Sequence, residues 1–294
     1  MMVETAFSTE DISRAAKALK RLRPAYHALL SFYEKVFIAQ ENSKGAVDLE
    51  APQISPQMLA AKRQEALPLA DISEFRVDVA AGADLMKQLF DITRADHPAM
   101  AESATEIEAA LEAGTLSQET LFNRFLSADD GFFEDTARRS QIDKNFLAFL
   151  TYHSLIPSLA LYAEQLSHYL ADPVQWLKGY CPVCGSRPGL AVIDREGRRF
   201  LHCSFCRQSW PTLRLFCPFC ENDEAKSLLY LFSEKEKDLR ADTCNRCKKY
   251  IKTVDSREAE RIVYPPLEQV ASLHLDINAQ QQGYASGIEI ALNI

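Results

Sequence analysis

Cys181-Pro182-Val183-Cys184, Cys203-Ser204-Phe205-Cys206, Cys217-Pro218-Phe219-Cys220 and Cys244-Asn245-Arg246-Cys247 contain all eight cysteines of a 294-residue chain. A pair of cysteines with two residues between them puts two sulfurs on one tight turn, aimed at a common point. Two such turns complete a tetrahedral four-sulfur shell, so eight thiolates make two shells. Eighteen residues separate Cys184 from Cys203 and 23 separate Cys220 from Cys244, room for a hairpin in each case, whereas only ten lie between Cys206 and Cys217. Sequential pairing is therefore favoured over a cross-braced arrangement. One site takes Cys181, Cys184, Cys203 and Cys206, and the other takes Cys217, Cys220, Cys244 and Cys247.

Two other uses of paired cysteines fit less well. Disulfide frameworks belong to short secreted chains and do not explain one repeated spacing. A thioredoxin-type centre needs a pair opening a helix after a strand, and these pairs recur in loop-like settings. A tetrahedral all-sulfur shell suits zinc or a single iron. Four protein sulfurs also close that shell, which leaves no position for a substrate and argues against metal hydrolysis. At the least, metal would staple ribbons too small to hold together alone. In the first turn Gly185 follows the second cysteine and can take positive φ, letting backbone N–H groups approach the sulfurs. Arg207, Glu221 and Lys248 stand at that position in the other turns, which are expected to be less ideal.

Around the cysteines the pattern is strand-like: Leu190–Ile193, Arg199–His202, Thr212–Phe216, Leu228–Phe232, Arg240–Thr243 and Tyr250–Val254, with Glu196-Gly197 suited to a hairpin turn. Before them the chain reads as helical. Ser8-Thr9-Glu10-Asp11 has the form of a capping box, and Pro24 opens a second helix. Residues 43–75 read as a wrapping loop around a short helix near Gln57–Glu65. Helices follow over Val79–Thr93, Glu102–Ala113, Ser117–Leu126 and Phe132–Arg138, with Ser117 an N-cap. The strongest helical pattern, Ile142–Leu170, contains Pro157, expected to kink or divide it, and His153, expected to be a packed, hydrogen-bonded imidazole. His27, His97 and His168 form no ligand pattern. After Pro265-Pro266 one further amphipathic helix is expected over Leu267–Gln282.

The fold class is thus α+β: an all-α domain over 1–172, two consecutive four-cysteine ribbon modules over 173–212 and 213–264, and a C-terminal helix and tail over 265–294. The net charge of −8 is uneven, because Cys181–Lys252 carries 14 Lys and Arg against 9 Asp and Glu while the preceding 180 residues carry 17 against 26. Two tetrathiolate sites holding divalent ions would each add −2. Much of the local basicity therefore balances thiolate, and Arg198, Arg199, Arg214, Lys248 and Lys249 are weak grounds for nucleic-acid binding. The start Met1-Met2-Val3-Glu4-Thr5 has no basic n-region leading into an apolar stretch, and no uninterrupted apolar run approaches the ~20 residues of a membrane span, so a cytoplasmic protein is expected.

Gly179-Tyr180-Cys181-Pro182-Val183-Cys184-Gly185-Ser186-Arg187-Pro188 resembles the formate dehydrogenase accessory protein FdhE family. So do Trp176, Leu201-His202-Cys203-Ser204-Phe205-Cys206 with Trp210 and Arg214 following, Cys244-Asn245-Arg246-Cys247 leading into Tyr250–Val254, and Gly283-Tyr284. The resemblance covers about 180–294 by motif and the amino-terminal half by helical character alone. It implies two rubredoxin-like modules, with iron the favoured metal and zinc the alternative. It further implies a non-enzymatic cytoplasmic maturation factor that binds the catalytic subunit of a respiratory formate dehydrogenase. The alternatives are a rubredoxin-like electron carrier and a ribbon-type nucleic-acid binder.

Overall fold

The computed structural model describes residues 7–170, 176–234 and 236–288. The expected boundary at 172/173 and the Met1–Thr5 stretch lie outside the described residues. The helical part comprises α1 (Thr9–Leu22), α2 (His27–Ser43), α3 (Pro56–Gln64), α4 (Val79–Asp96), α5 (Ala101–Glu112), α6 (Gln118–Leu126), α7 (Asp130–Ser140) and α8 (Lys144–Ser167). Six of the eight starts follow from side-chain capping. Ser8, Ser55, Asp78, Ser117, Asp129 and Asp143 each accept a backbone N–H of the first turn, and Ser8 with Asp11 forms the expected reciprocal box.

The core helix is α8. By length and composition it could cross a membrane, but 78% of its most apolar window is buried inside the fold, among α2, α4, α6 and α7. Pro157 does not divide it. A proline lacks the N–H that would bond the carbonyl four residues back, here that of His153. That carbonyl accepts instead from Gln40 Nε2 of α2 at 2.9 Å, and the same amide contacts His153 Nδ1 at 2.9 Å.

The strands are β1 (Pro188–Ile193), β2 (Arg199–Cys203), β3 (Ser209–Thr212), β4 (Leu228–Ser233), β5 (Glu236–Cys244), β6 (Lys249–Asp255) and β7 (Ala285–Ser286). All join one sheet in the order β3-β2-β1-β6-β5-β4, with β7 beside the start of β6. Each ribbon is an antiparallel three-strand unit, and the two units meet along the parallel pair Ala191↔Thr253, Val192↔Val254 and Ile193↔Asp255. The expected strand Thr212–Phe216 is corrected: pairing covers Ser209–Thr212 and ends there. The buried Arg199 guanidinium bonds the carbonyls of Leu213 (3.5 Å) and Phe216 (2.8 Å), drawing this segment away from the ladder. The expected single tail helix is also corrected, to α9 (Pro265–Ala271) and α10 (Leu273–Gln281). They part at the buried Ser272, whose hydroxyl bonds Glu268 O at 2.7 Å.

One hydrophobic core runs without interruption from the helices into the first ribbon, where it includes Cys181, Val183, Leu201, Cys206 and Trp210. A smaller cluster of Leu190, Leu239, Ala241, Tyr250 and Val254 lies on the other face of the sheet under Leu275 and Ala279 of α10.

Candidate metal centres

In each of the four cysteine turns, a backbone N–H just after the second cysteine returns to the carbonyl of the first or the turn closes on the residue beyond. Gly185 N–H bonds Cys181 O, Glu221 N–H bonds Cys217 O and Lys248 N–H bonds Cys244 O at 2.8–2.9 Å, while Cys203 N–H bonds Gln208 O at 2.8 Å. Gly185 takes φ 76°, and Arg207, Glu221 and Lys248 take φ 63°, 55° and 57°. The three non-glycine turns therefore adopt the same left-handed backbone as the glycine turn. Each side chain there is tied down. Arg207 reaches Gln40 Oε1 (2.8 Å) and lies over the Phe37 ring, Glu221 accepts from Gly179 N–H (3.2 Å), and Lys248 bonds Asn245 Oδ1 (2.9 Å) and lies over Tyr284.

These turns gather the sulfurs as two sets of four, Cys181, Cys184, Cys203 and Cys206, and Cys217, Cys220, Cys244 and Cys247, each set within 4.8 Å. Sγ···Sγ separations are 3.6 Å for Cys181–Cys206 and 3.4 Å for Cys184–Cys203 in the first set, and 3.6 Å for Cys217–Cys247 and 3.7 Å for Cys220–Cys244 in the second. A disulfide would need about 2.05 Å. A tetrahedron with metal–sulfur bonds of about 2.3 Å has edges of about 3.8 Å. The observed spacing fits the second, so each set could hold one metal ion.

Surrounding donors suit thiolates. Phe205 and Cys206 direct their N–H groups at Cys203 Sγ (both 3.4 Å), and Asn222 Nδ2 lies 3.7 Å from Cys244 Sγ. Backbone N–H groups of Phe219 and Cys220 serve Cys217, and those of Cys247 and Arg246 serve Cys244. Burial pushes the Cys181, Cys206 and Cys217 thiols up. Cys184 is held well down despite its burial, because Cys181, Cys203 and Cys206 all hydrogen-bond to it. In the first set one sulfur, Cys184, is thus poised to ionise beside two, Cys181 and Cys206, that resist ionising, an arrangement that a bound cation would stabilise. All four cysteines of the first site are buried, whereas Cys220 and Cys247 of the second are part-exposed.

Both sites rest on residues outside the cysteine turns. Leu69 and Ala70, in the loop expected to wrap, donate N–H groups to Pro182 and Val183 carbonyls at 2.9 Å. Tyr152 of α8 donates its hydroxyl to Ser204 O (2.8 Å) and Phe205 O (3.0 Å). The second site abuts the first at Gly179, where an added Cβ would lie 1.8 Å from Pro218 O. Gln40, Tyr152, Asn222 and the side-chain role of Arg207 were not singled out from sequence. Only Asn222, two residues past Cys220, carried a local signal. The basic residues considered for nucleic acid are engaged internally. Arg199 is buried against Asp242 (3.0 Å), Arg198 pairs with Asp194 (2.7 Å), Arg214 bonds Gly197 O (3.4 Å) and Lys249 lies over Phe219.

Residues 180–214 match the family model described as FdhE, central domain, and residues 215–292 the one described as FdhE, C-terminal domain. A Protein FdhE homolog from Aquifex aeolicus is 38% identical over 147 residues, 49% of this chain and 50% of that protein. Protein FdhE from Escherichia coli O1:K1 is 31% identical over 135 residues, 44% of this chain and 43% of the relative. The matched stretch thus spans about half the length of these relatives. The crystal structure of the FdhE protein from Pseudomonas aeruginosa shares the fold, with a TM-score of 0.71 at 21% identity over 98% of this chain and 97% of that one. The two FdhE domain models thus lie in tandem across both cysteine clusters, and it is over residues 180–292 that the chain matches the FdhE family.

Proposed function

We propose that each cluster holds one metal ion and that the chain is a non-enzymatic, cytoplasmic accessory factor for a respiratory formate dehydrogenase, binding its catalytic subunit during assembly. In this reading the helical domain (1–172), the two rubredoxin-like modules (173–212 and 213–264) and the tail (265–294) form one rigid docking body. The observation that carries it is the pair of closed four-sulfur clusters seated on a helical scaffold in a chain of this family. Such clusters offer a substrate no coordination position, so the metal fixes the turns and tunes their surface. A tagged chain purified from anaerobically grown cells retrieves a formate dehydrogenase catalytic subunit; retrieval of none would falsify the proposal.

Iron is the metal favoured by the resemblance, with zinc as the alternative. Elemental analysis and a visible spectrum of anaerobically purified protein separate them, since ferric tetrathiolate absorbs strongly and zinc is colourless. The part-exposed Cys220 and Cys247 favour, as a second reading, an electron carrier with its accessible centre at the second site. A fully zinc-loaded, colourless protein excludes that reading.

A further inference from the structure

Among the described residues the strand order of the sheet ends at β3 on one side and β4 on the other. Open edges of this kind template pairing with another chain unless proline, charge or irregularity blunts them. β3 carries Pro211. By contrast, β4 reads Leu228-Leu229-Tyr230-Leu231-Phe232-Ser233, with no proline, glycine or charge, and its ladder with β5 runs regularly from Leu228 to Phe232. Asn245 N–H donates to Ser227 O at 2.8 Å, which fixes the phase of the ladder. Odd-numbered residues of β4 direct their backbone groups at β5, so Leu228, Tyr230 and Phe232 direct theirs outward. The side chains are exposed as well: Leu229 by 48%, Tyr230 by 59% and Phe232 by 58%.

We propose that β4 is the surface on which two copies of this chain pair, antiparallel about a two-fold axis through Tyr230. A second copy is the occupant because the flanking charges are self-complementary. Lys226, in the 3-10 turn Ala225–Ser227 that leads into β4, and Glu234, in the turn that leaves it, are both exposed, lie four residues to either side of Tyr230, and carry opposite signs. The two-fold axis brings the turn that carries Lys226 of each copy beside the turn that carries the partner's Glu234, twice. The same register aligns every outward backbone group: Tyr230 meets its own copy in a hydrogen-bonded pair, and Leu228 meets the partner's Phe232. On the opposite face Leu229 meets the partner's Leu231. The apolar side chains of the strand thereby pair with apolar ones on both faces. An isologous interface demands this self-match, whereas an extended segment of another protein would use the main-chain groups without fixing that register.

An interface of one strand pair is small and falls among weak associations. The test is sedimentation of the full metal-loaded chain from about 1 to about 100 μM. The mass is expected to climb from 33.1 kDa toward twice that value. Tyr230→Lys, which puts two like charges on the axis, leaves a monomer with unchanged metal content and circular dichroism. Lys226→Glu and Glu234→Lys each weaken dimerisation roughly tenfold, and the double variant K226E/E234K regains it. A monomer at the highest concentration overturns the proposal. So does a dimer indifferent to Tyr230→Lys or to the single reversals. A monomeric chain whose K226E variant loses a captured dehydrogenase subunit would give the edge to a client instead, and would also overturn it. The capture result under Proposed function is read separately and does not depend on this mass.

Discussion

Arg207, Glu221 and Lys248 hold the backbone conformation that glycine adopts freely, at a cost of about 1–2 kcal/mol for a residue with a Cβ. Reading them from sequence as poorer turns weighed that backbone cost but not the side-chain contacts that offset it, which come from distant residues such as Gln40 and Phe37. This yields an inverted ranking at Arg207. Replacement by alanine keeps the strain and loses the contacts, whereas glycine loses the contacts but relieves the strain. Thermal or denaturant unfolding should find Arg207→Gly more stable than Arg207→Ala by about 1 kcal/mol. His153 behaves as its sequence setting suggested. Burial, and then the Arg207 charge, push it down to about 3, so the folded protein keeps it neutral while the unfolded chain protonates it near 6.5. Stability contributed by the neutral ring is therefore full above pH 6.5 and falls as pH drops from there toward 3, by up to about 1.4 kcal/mol per pH unit. His153→Asn should show a shallower loss between pH 6.5 and 5 in the same unfolding measurement. An identical slope would remove His153 from the account.

At the scale of elements, helices were legible because capping residues and apolar spacing are local signals. The sheet was legible only strand by strand, since the parallel β1–β6 contact joins residues about 60 apart and leaves no local mark. The role of Pro157 shows the limit well. Its presence in an apolar run signals a broken bond ladder, but the group that takes up the freed His153 carbonyl is Gln40, 113 residues away. Gln40→Leu should cost about 2–3 kcal/mol, because it strands the carbonyl, the imidazole nitrogen and one Arg207 donor in the interior. Pro157→Ala restores an N–H within the helix for that carbonyl. The cost of Gln40→Leu should then shrink by about 1 kcal/mol in the Pro157→Ala background, measured as a double-mutant cycle. Additivity within error would mean that the carbonyl finds another partner.

Across the whole molecule, the two cysteine sets have unequal surroundings although their sequence motifs are alike. The first is buried in the core shared with the helices, and the second is part-exposed, with Phe219 of its first turn packed against that core. Chelation of the metal-loaded protein should therefore proceed in two phases, with one equivalent lost early and reactive thiols appearing first at Cys220 and Cys247. Loss of the second equivalent should coincide with loss of helical circular dichroism. Simultaneous release of both would contradict this ordering. The grouping of the eight cysteines into two sets of four was legible because the spacing is local chemistry, while the inequality was not, because it depends on what the helices cover.

The contacts that seat the first site on the helices also set an order of events during synthesis. Gln40, Ala66, Leu69, Ala70 and Tyr152 leave the ribosome well before Tyr180, Pro182, Val183, Ser204 and Arg207, the residues that complete their hydrogen bonds. Until residue 207 has emerged, the helical half has an unfinished apolar face, and contacts this distant in sequence form slowly. In the proposed metal-loaded state the turns that finish that face are themselves held in shape by a cation. A shortage of metal in the cell should therefore be felt by the helices, whose own sequence contains no metal ligand pattern, as a lengthened interval of exposure to proteases.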